Sequence, residues 1–251
     1  MQLDFLTCYE KDTLDPKEPS QLEFLGEDLK PIKPHRLPKN HQVEKFFLDL
    51  NYGSVPEYKE YWRSITPEND TEVFQRWLFA FMSVHTSWQS NVRGYEAIKD
   101  WWTWINRWGD LHAAIDNSRV GMQNNRVRYI TAFTEKFWKN PSLYRKGQNE
   151  SWVEFRDRLK DITLGLGPAK TSFAIELCYP NTAKVVCLDT HMFQAYGLNQ
   201  TKDARQYAEL EQRWIDMCNM WAVPPYIARC LYWDVKQGYS SSSYWSKVFE
   251  K

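Results

Sequence analysis

The sequence predicts an all-α fold, and three observations carry that expectation. Apolar residues recur at intervals of three and four through most of the chain from His41 to Gly238, the period of a helix with one buried face. No stretch sustains the alternation of apolar and polar residues that marks a half-buried strand. Capping residues stand at the ends of the periodic segments: Ser151 with Glu154, Asp189 with Thr190, and Pro224-Pro225 with Gly238.

The first 40 residues show no helical period. They are rich in Pro and charge (DTLDPKEPS, then LKPIKPHRLPKN) and read as an extended arm, either a surface wrap or a tail. Alternatively, Lys30, Lys33, Arg36 and Lys39 lie along a DNA backbone. Val43, Phe46, Phe47 and Leu50 predict a helix from about His41, separated by Gly53 and Pro56 from a second that ends near Ile65. Thr66-Pro67 and Asp70 open a strong helix bearing Val73, Phe74, Trp77, Leu78, Phe81 and Met82. Gly94 to Arg107, with Ile98, Trp101, Trp102, Trp104 and Ile105, predicts a helix turned mostly to the core. A short helix over Asp110 to Asp116 follows, then one with Val127, Ile130, Phe133 and Phe137 that Pro141 stops.

The chain is organised around Leu159 to Gly197. Trp152, Phe155, Leu159 and Ile162 lead into it at helical spacing. Gly165 and Gly167 break the pattern, and it resumes with Ala169, Phe173 and Leu177 before Pro180. A Gly-x-Gly turn entering a helix exposes backbone N–H groups at a positive dipole end, which suits phosphate. Ala183 to Leu188 is a short apolar link delivering Asp189 to the next helix as its N-cap. Beyond Gly197, TKDARQ opens a long helix with Tyr207, Leu210, Trp214, Met217 and Trp221. Another starts at Pro224-Pro225, and SSSSYWSK reads as a loose end.

A length of 251 residues fits one large or two small domains, and 43% hydrophobic content supplies a sizeable core. Net charge is zero, so DNA binding would need locally clustered charge. The five Cys show no short-spaced pairs, which argues against a zinc site and a disulfide framework. The N-terminus lacks a signal-peptide pattern. The longest apolar-rich run, about Trp77 to Trp88, is too short to span a bilayer. The expectation is a soluble intracellular protein.

GLGPAKTSFA followed about twenty residues later by CLDTHMF resembles the helix-hairpin-helix DNA glycosylases, the superfamily of endonuclease III and 8-oxoguanine glycosylase. In that family the hairpin grips DNA phosphate and an Asp in a V-D-T-H-like segment is the catalytic acid, a pattern that Asp189-Thr190-His191 matches. The segment Ser83 to Trp88 resembles the family's S-x-Q or S-x-N, whose polar residue fills the hole left by a flipped nucleotide. His85 stands there, a departure in residue type, and is otherwise a hydrogen-bonded helix-end histidine. Val120 to Arg126 resembles the I-G-L-Y-N-x-K turn, whose apolar tip wedges into the duplex; Met122 matches the tip and Gln123 follows it. The family's four-Cys iron–sulfur loop is absent.

The resemblance covers about Val43 to Gly238 and implies a two-lobed fold with a DNA-binding cleft. One lobe is a six-helix bundle over residues 66–183; the other combines 41–65 with 184–239, leaving 1–40 as the arm and 240–251 as a tail. It implies a glycosylase that excises a damaged, mispaired or modified base from double-stranded DNA, working as a monomer. Asp189 stabilises the oxocarbenium ion and activates water. Gly165, Gly167, Ala169, Lys170 and Thr171 hold phosphate. Trp88 and Gln89, which follow the hole-filling segment, are expected either to line the base pocket or to be structural, and His191 is expected to be structural, fixing the Asp-bearing turn. No cofactor is implied beyond a monovalent cation bridging hairpin carbonyls.

Family members with lyase activity carry G-x-G-x-K. Here Ala169 takes that place and Lys170 comes one residue late, a displacement of about 100° and about 1.5 Å along a helix. The expectation is a monofunctional enzyme with water as nucleophile. The alternative is that Pro168 distorts the turn and restores Lys170 as the catalytic amine of a bifunctional enzyme. A base-modifying enzyme on the same scaffold and a noncatalytic DNA-binding module complete the alternatives.

Overall fold

The computed structural model describes residues 42–249, so the expected arm, residues 1–40, lies outside the described residues. In chain order the helices are α1 (Gln42–Leu48), α2 (Val55–Ser64), α3 (Asp70–Met82), α4 (Trp88–Ile98), α5 (Trp108–Asn117) and α6 (Gln123–Lys139). They continue with α7 (Trp152–Ile162), α8 (Pro168–Cys178), α9 (Thr190–Ala195), α10 (Tyr207–Met220), α11 (Pro225–Gln237) and α12 (Ser246–Phe249). Among the described residues there is no strand.

The axis of the core is α3. Asn69 starts it by accepting the Glu72 N–H at 3.0 Å. Val73, Phe74 and every residue from Arg76 to Met82 are buried. A helix apolar on nearly all faces must be wrapped on all sides, and α4, α6 and α8 do this. Phe74 stacks on Phe133 of α6 with centroids 5.2 Å apart, and Phe79 meets Phe173 of α8. The two ends of the described chain pack together. Phe46 and Phe47 of α1 lie on Trp214 of α10, Glu44 pairs with Arg213, and Trp62 of α2 meets Tyr226 of α11 at 4.7 Å. All of this falls within one compact unit.

Two expectations are corrected. The helix expected over Gly94 to Arg107 does not form as one piece: α4 starts at Trp88 and ends at Ile98, and Trp101–Thr103 is a separate 3-10 turn. Asp100 leaves helical geometry (φ −81°, ψ 58°) and its carbonyl accepts both the Thr103 N–H and the Thr103 hydroxyl. Trp102 consequently points away from the core and is 60% exposed.

The segment after Gly238 is not a loose end. Trp245 is buried against Trp62, Phe79 and Trp88, with centroids 5.2, 5.3 and 4.6 Å away. Phe249 is buried too, with the Arg76 guanidinium 3.6 Å above its ring. Burial of a side chain of this size contributes about 1.5–3 kcal/mol. The run of serines masks a helical spacing of Tyr244, Trp245, Val248 and Phe249. Asp234 of α11 ties the segment down: it accepts from the hydroxyls of Tyr58, Ser242 and Tyr244 at 2.9, 2.8 and 2.7 Å.

Burial raises the Asp234 carboxyl above its ordinary range, although the three hydroxyl donors favour the charged form. A carboxyl raised in this way keeps its proton in the fold at pH values where the unfolded chain has lost it. Stability from this group therefore falls as pH rises through that window. Asp234→Asn cannot ionise, so its Tm relative to wild type is expected to climb as pH rises above the ordinary carboxyl range, about pH 4. Thermal melts at rising pH check it, and a difference that does not change with pH contradicts it.

Candidate active site

The hairpin begins with the capping box at Ser151: Glu154 N–H donates to Ser151 Oγ at 3.2 Å, and Ser151 N–H to Glu154 Oε2 at 2.7 Å. Helix α7 ends at Ile162, whose carbonyl accepts from Lys136 Nζ at 2.8 Å. Buried Leu166 anchors the turn between two glycines of different kinds. Gly165 is left-handed (φ +88°), and a Cβ there would sit 2.2 Å from the Tyr129 ring. Gly167 is extended backbone at the N-cap of α8, and a Cβ there would meet nothing within 4 Å. Open space thus lies above the first turn of α8, where backbone N–H groups lack carbonyl partners within the helix.

Ala183 to Leu188 forms neither helix nor strand, yet all of it but Lys184 is buried. Buried peptide groups need partners, and side chains provide them. Glu211 accepts the Val186 N–H at 2.8 Å, and Glu176 accepts the Cys187 N–H at 3.2 Å. Tyr207 donates its hydroxyl to Val186 O at 2.5 Å, and Gln200 donates to Leu188 O at 3.2 Å. Both carboxylates are ion-paired: Glu211 with Arg156, and Glu176 with Arg229 Nε and Nη2 at 3.0 and 2.6 Å. Burial still pushes the Glu176 carboxyl up to about 7 and raises Glu211, against the pull of the two arginines. Burial also pushes the Cys187 thiol up to about 12.

This strap ends at Asp189, the N-cap of α9. Its Oδ1 accepts the N–H groups of His191 and Met192, each at 3.0 Å. Thr190 Oγ1 donates to Gln200 Oε1 at 2.7 Å, closing the turn from the far side. The His191 ring packs edge-on against Trp233, 4.8 Å between centroids, and not against Asp189.

Asp189 and the hairpin share one cavity of about 500 Å³. Its wall comes from Ser83 to Thr86 after α3, from Gly165 and Gly167 to Lys170, and from Asp189 to His191, with Phe193, Gln200, Ala204 and Tyr207 completing it. His85 and Met122 are both exposed and both left-handed, with φ of 52° and 55°. The guanidinium of buried Arg126 joins them. It donates to Val84 O at 2.6 Å, to Gly121 O at 2.9 Å and to Phe81 O at 2.6 Å, binding the carbonyl just before each tip. Only His85 of the two lines the cavity; Met122 and half-buried Gln123 lie outside it.

Three expected residues are placed elsewhere. Trp88 is no wall of this cavity, because Tyr244 and Trp245 of the docked C-terminal segment cover it. Gln89 is exposed and outside the lining. Thr171 is fully buried, so its side chain cannot reach phosphate, and its N–H is bonded to Gly167 O at 3.0 Å. Sequence reasoning missed Arg126, Glu176, Gln200, Tyr207 and Glu211. Glu176 alone carried a usable signal, an acid in the otherwise apolar run SFAIELC, since a buried charge implies a partner. Among the described residues, no three His, Cys, Asp or Glu side chains are grouped to hold a metal ion.

The two glycines should respond differently to the same substitution. Gly165→Ala forces a side chain into left-handed backbone and into Tyr129, and is expected to lower stability by about 2 kcal/mol or more. Gly167→Ala meets no neighbour and should leave Tm nearly unchanged. Thermal unfolding of both variants checks this; equal melting temperatures would contradict the assigned geometry.

No protein-family model matches the chain, and no curated protein matches its sequence. Among solved structures the chain is similar to the 8-oxoguanine DNA glycosylase of Methanocaldococcus jannaschii. The TM-score is 0.64 and the identity 15%, over 78% of this chain and 94% of that one. It is also similar to the 8-oxoguanine DNA glycosylase of Thermotoga maritima, at TM-score 0.64 and 12% identity, over 80% of this chain and all of that one. At these identities the likeness is one of fold: the all-helical architecture seen here is shared with both structures.

Proposed function

We propose that this chain is a DNA glycosylase that excises a damaged, mispaired or modified base. The observation that carries the reading is the single cavity uniting the Asp189 carboxylate, the Gly167–Lys170 helix start and the rim at His85. The fold shared with two 8-oxoguanine DNA glycosylases supports it and makes an oxidised purine the first substrate to test. On this reading the duplex lies between a bundle over 66–183 and a lobe of 41–65 with 184–239. The hairpin N–H groups grip phosphate, Met122 wedges the stack, and His85 fills the space behind the extruded nucleotide.

Breaking an N-glycosidic bond develops positive charge on the sugar. Asp189 Oδ1 is occupied by two backbone N–H groups, while Oδ2 has no hydrogen bond among the described residues. Oδ2 is therefore the atom assigned to face the oxocarbenium ion and to orient water. One such charge pair, about 4 Å apart at an effective dielectric of about 20, is worth roughly 4 kcal/mol, about a thousandfold in rate. A monovalent cation at the hairpin would be held by main-chain carbonyls. Two of these are already engaged, Ile162 O by Lys136 and Gly167 O by Thr171 N–H. No step above uses such an ion.

A second reading has one observation in its favour: Lys170 lines the same cavity as Asp189, with its Nζ 5.5 Å from the Phe173 ring centroid. In that reading Lys170 attacks the sugar as the amine of a bifunctional enzyme. The monofunctional reading gives Lys170 a phosphate contact instead.

Incubation with duplexes carrying different modified bases, then alkali cleavage, tests the proposal. Release of free base with an abasic site is expected. An altered base retained in the strand would indicate base modification, and binding alone a noncatalytic module. Asp189→Asn keeps a good N-cap, so fold and DNA affinity should persist while turnover drops several hundredfold or more; near wild-type excision would remove Asp189 from the chemistry. Borohydride is expected to trap no covalent adduct on substrate DNA. An adduct present in wild type and lost in Lys170→Ala would establish the bifunctional reading.

A further inference from the structure

The strap that delivers Asp189 is anchored by two carboxylates the chemistry does not use. Val186 and Cys187 lie three and two residues before Asp189, and both are buried. Their N–H groups go to Glu211 Oε1 of α10 and Glu176 Oε1 of α8. Glu176 has no exposed surface and Glu211 is 3% exposed. Each is oriented by an arginine from a further helix, Arg229 of α11 and Arg156 of α7. Apolar packing sets the position of Val186 and Cys187 only weakly, because a one-residue slip there exchanges one small apolar side chain for another. Two consecutive N–H groups with separate charged acceptors fix it.

We propose that Glu176 and Glu211 are positioning residues that fix the register of residues 183–188 and so the location of the Asp189 carboxylate in the cavity. The link to catalysis rests on the glycosylase reading above; the link to the strap does not. Reacting groups must sit within a few tenths of an ångström to about 1 Å of their productive positions, so a slipped strap slows chemistry without changing the DNA-gripping surface of the hairpin.

Removing one member of a buried ion pair leaves an unpaired charge, and such a variant tests folding rather than position. The test therefore uses two double variants. Glu176→Leu with Arg229→Met replaces the pair by apolar groups of similar size, a change often neutral for stability, and deletes the acceptor for Cys187 N–H. Glu176→Gln with Arg229→Met also removes both charges but restores an acceptor oxygen. Two readouts are taken on the full chain: amide hydrogen exchange across 183–189, and excision rate beside DNA affinity on a modified-base duplex.

In the Leu-containing variant, exchange at Cys187 is expected to accelerate by about tenfold to a hundredfold, the range for losing one hydrogen bond to a charged group. Exchange within α3 should not change. Excision should slow at least tenfold with DNA affinity intact, and the Gln-containing variant should recover most of both. The same comparison with Glu211 and Arg156 should move Val186. If the Leu and Gln variants behave alike in both readouts, the acceptor does not position the strap and the proposal is overturned. Exchange needs no substrate. A wild-type protein that excises nothing would therefore defeat the glycosylase reading alone, while the Cys187 and Val186 amides still decide whether the carboxylates fix the strap.

Discussion

A peptide N–H buried away from water must find an acceptor, and from Val186 to Leu188 no helix or sheet provides one. The chain meets this constraint with side chains drawn from elements far apart in sequence. Glu176 from α8, Glu211 from α10, and Gln200 from the connection between α9 and α10 each satisfy one strap group, and Tyr207 of α10 meets two, Val186 O and Leu188 N–H. Arg156 and Arg229 bring in α7 and α11. The position of Asp189 is thereby referenced to most of the helices around it rather than to its own short helix. Oδ1 completes the arrangement by capping that helix.

The rim opposite Asp189 follows the same logic with the signs reversed. Helix α3 ends at the cavity wall, and its last carbonyls need donors. Buried Arg126 supplies them to Phe81 and Val84 while holding Gly121 of the neighbouring turn. The site is therefore framed by buried polar groups whose partners are backbone atoms, with half-buried Lys170 and exposed His85 lining the cavity between them.

The fold was legible where periodicity and capping carry the information. The capping box at Ser151, the glycine turn and the N-cap at Asp189 all read directly from residue type and spacing. Trp88 was misread because proximity to the rim in sequence says nothing about which of its neighbours returns to cover it, here Tyr244 and Trp245 from about 155 residues away. Thr171 was misplaced by a single step of helical rotation, enough to turn it from the open face of α8 into the core. Glu211 and Arg156 were unreadable, since an acid and a base on separate amphipathic helices look like solvated surface until folding pairs them beneath the strap. What the sequence lacks is long-range pairing, and the missed residues are those whose role is defined only by such pairs.

The left-handed backbone at His85 and Met122 has a consequence of its own. Each such residue costs about 1 kcal/mol, and the bonds from Arg126 offset that strain when the chain folds. The shape of the two tips is settled before any nucleic acid arrives. On the proposed reading, the protein acts as the stiff partner and the duplex as the compliant one, so the work of fitting falls on the base stack. That work is smallest where a pair is already weakened by damage or mismatch. Discrimination would then begin in the bending of the DNA, ahead of any contact between a base and the cavity.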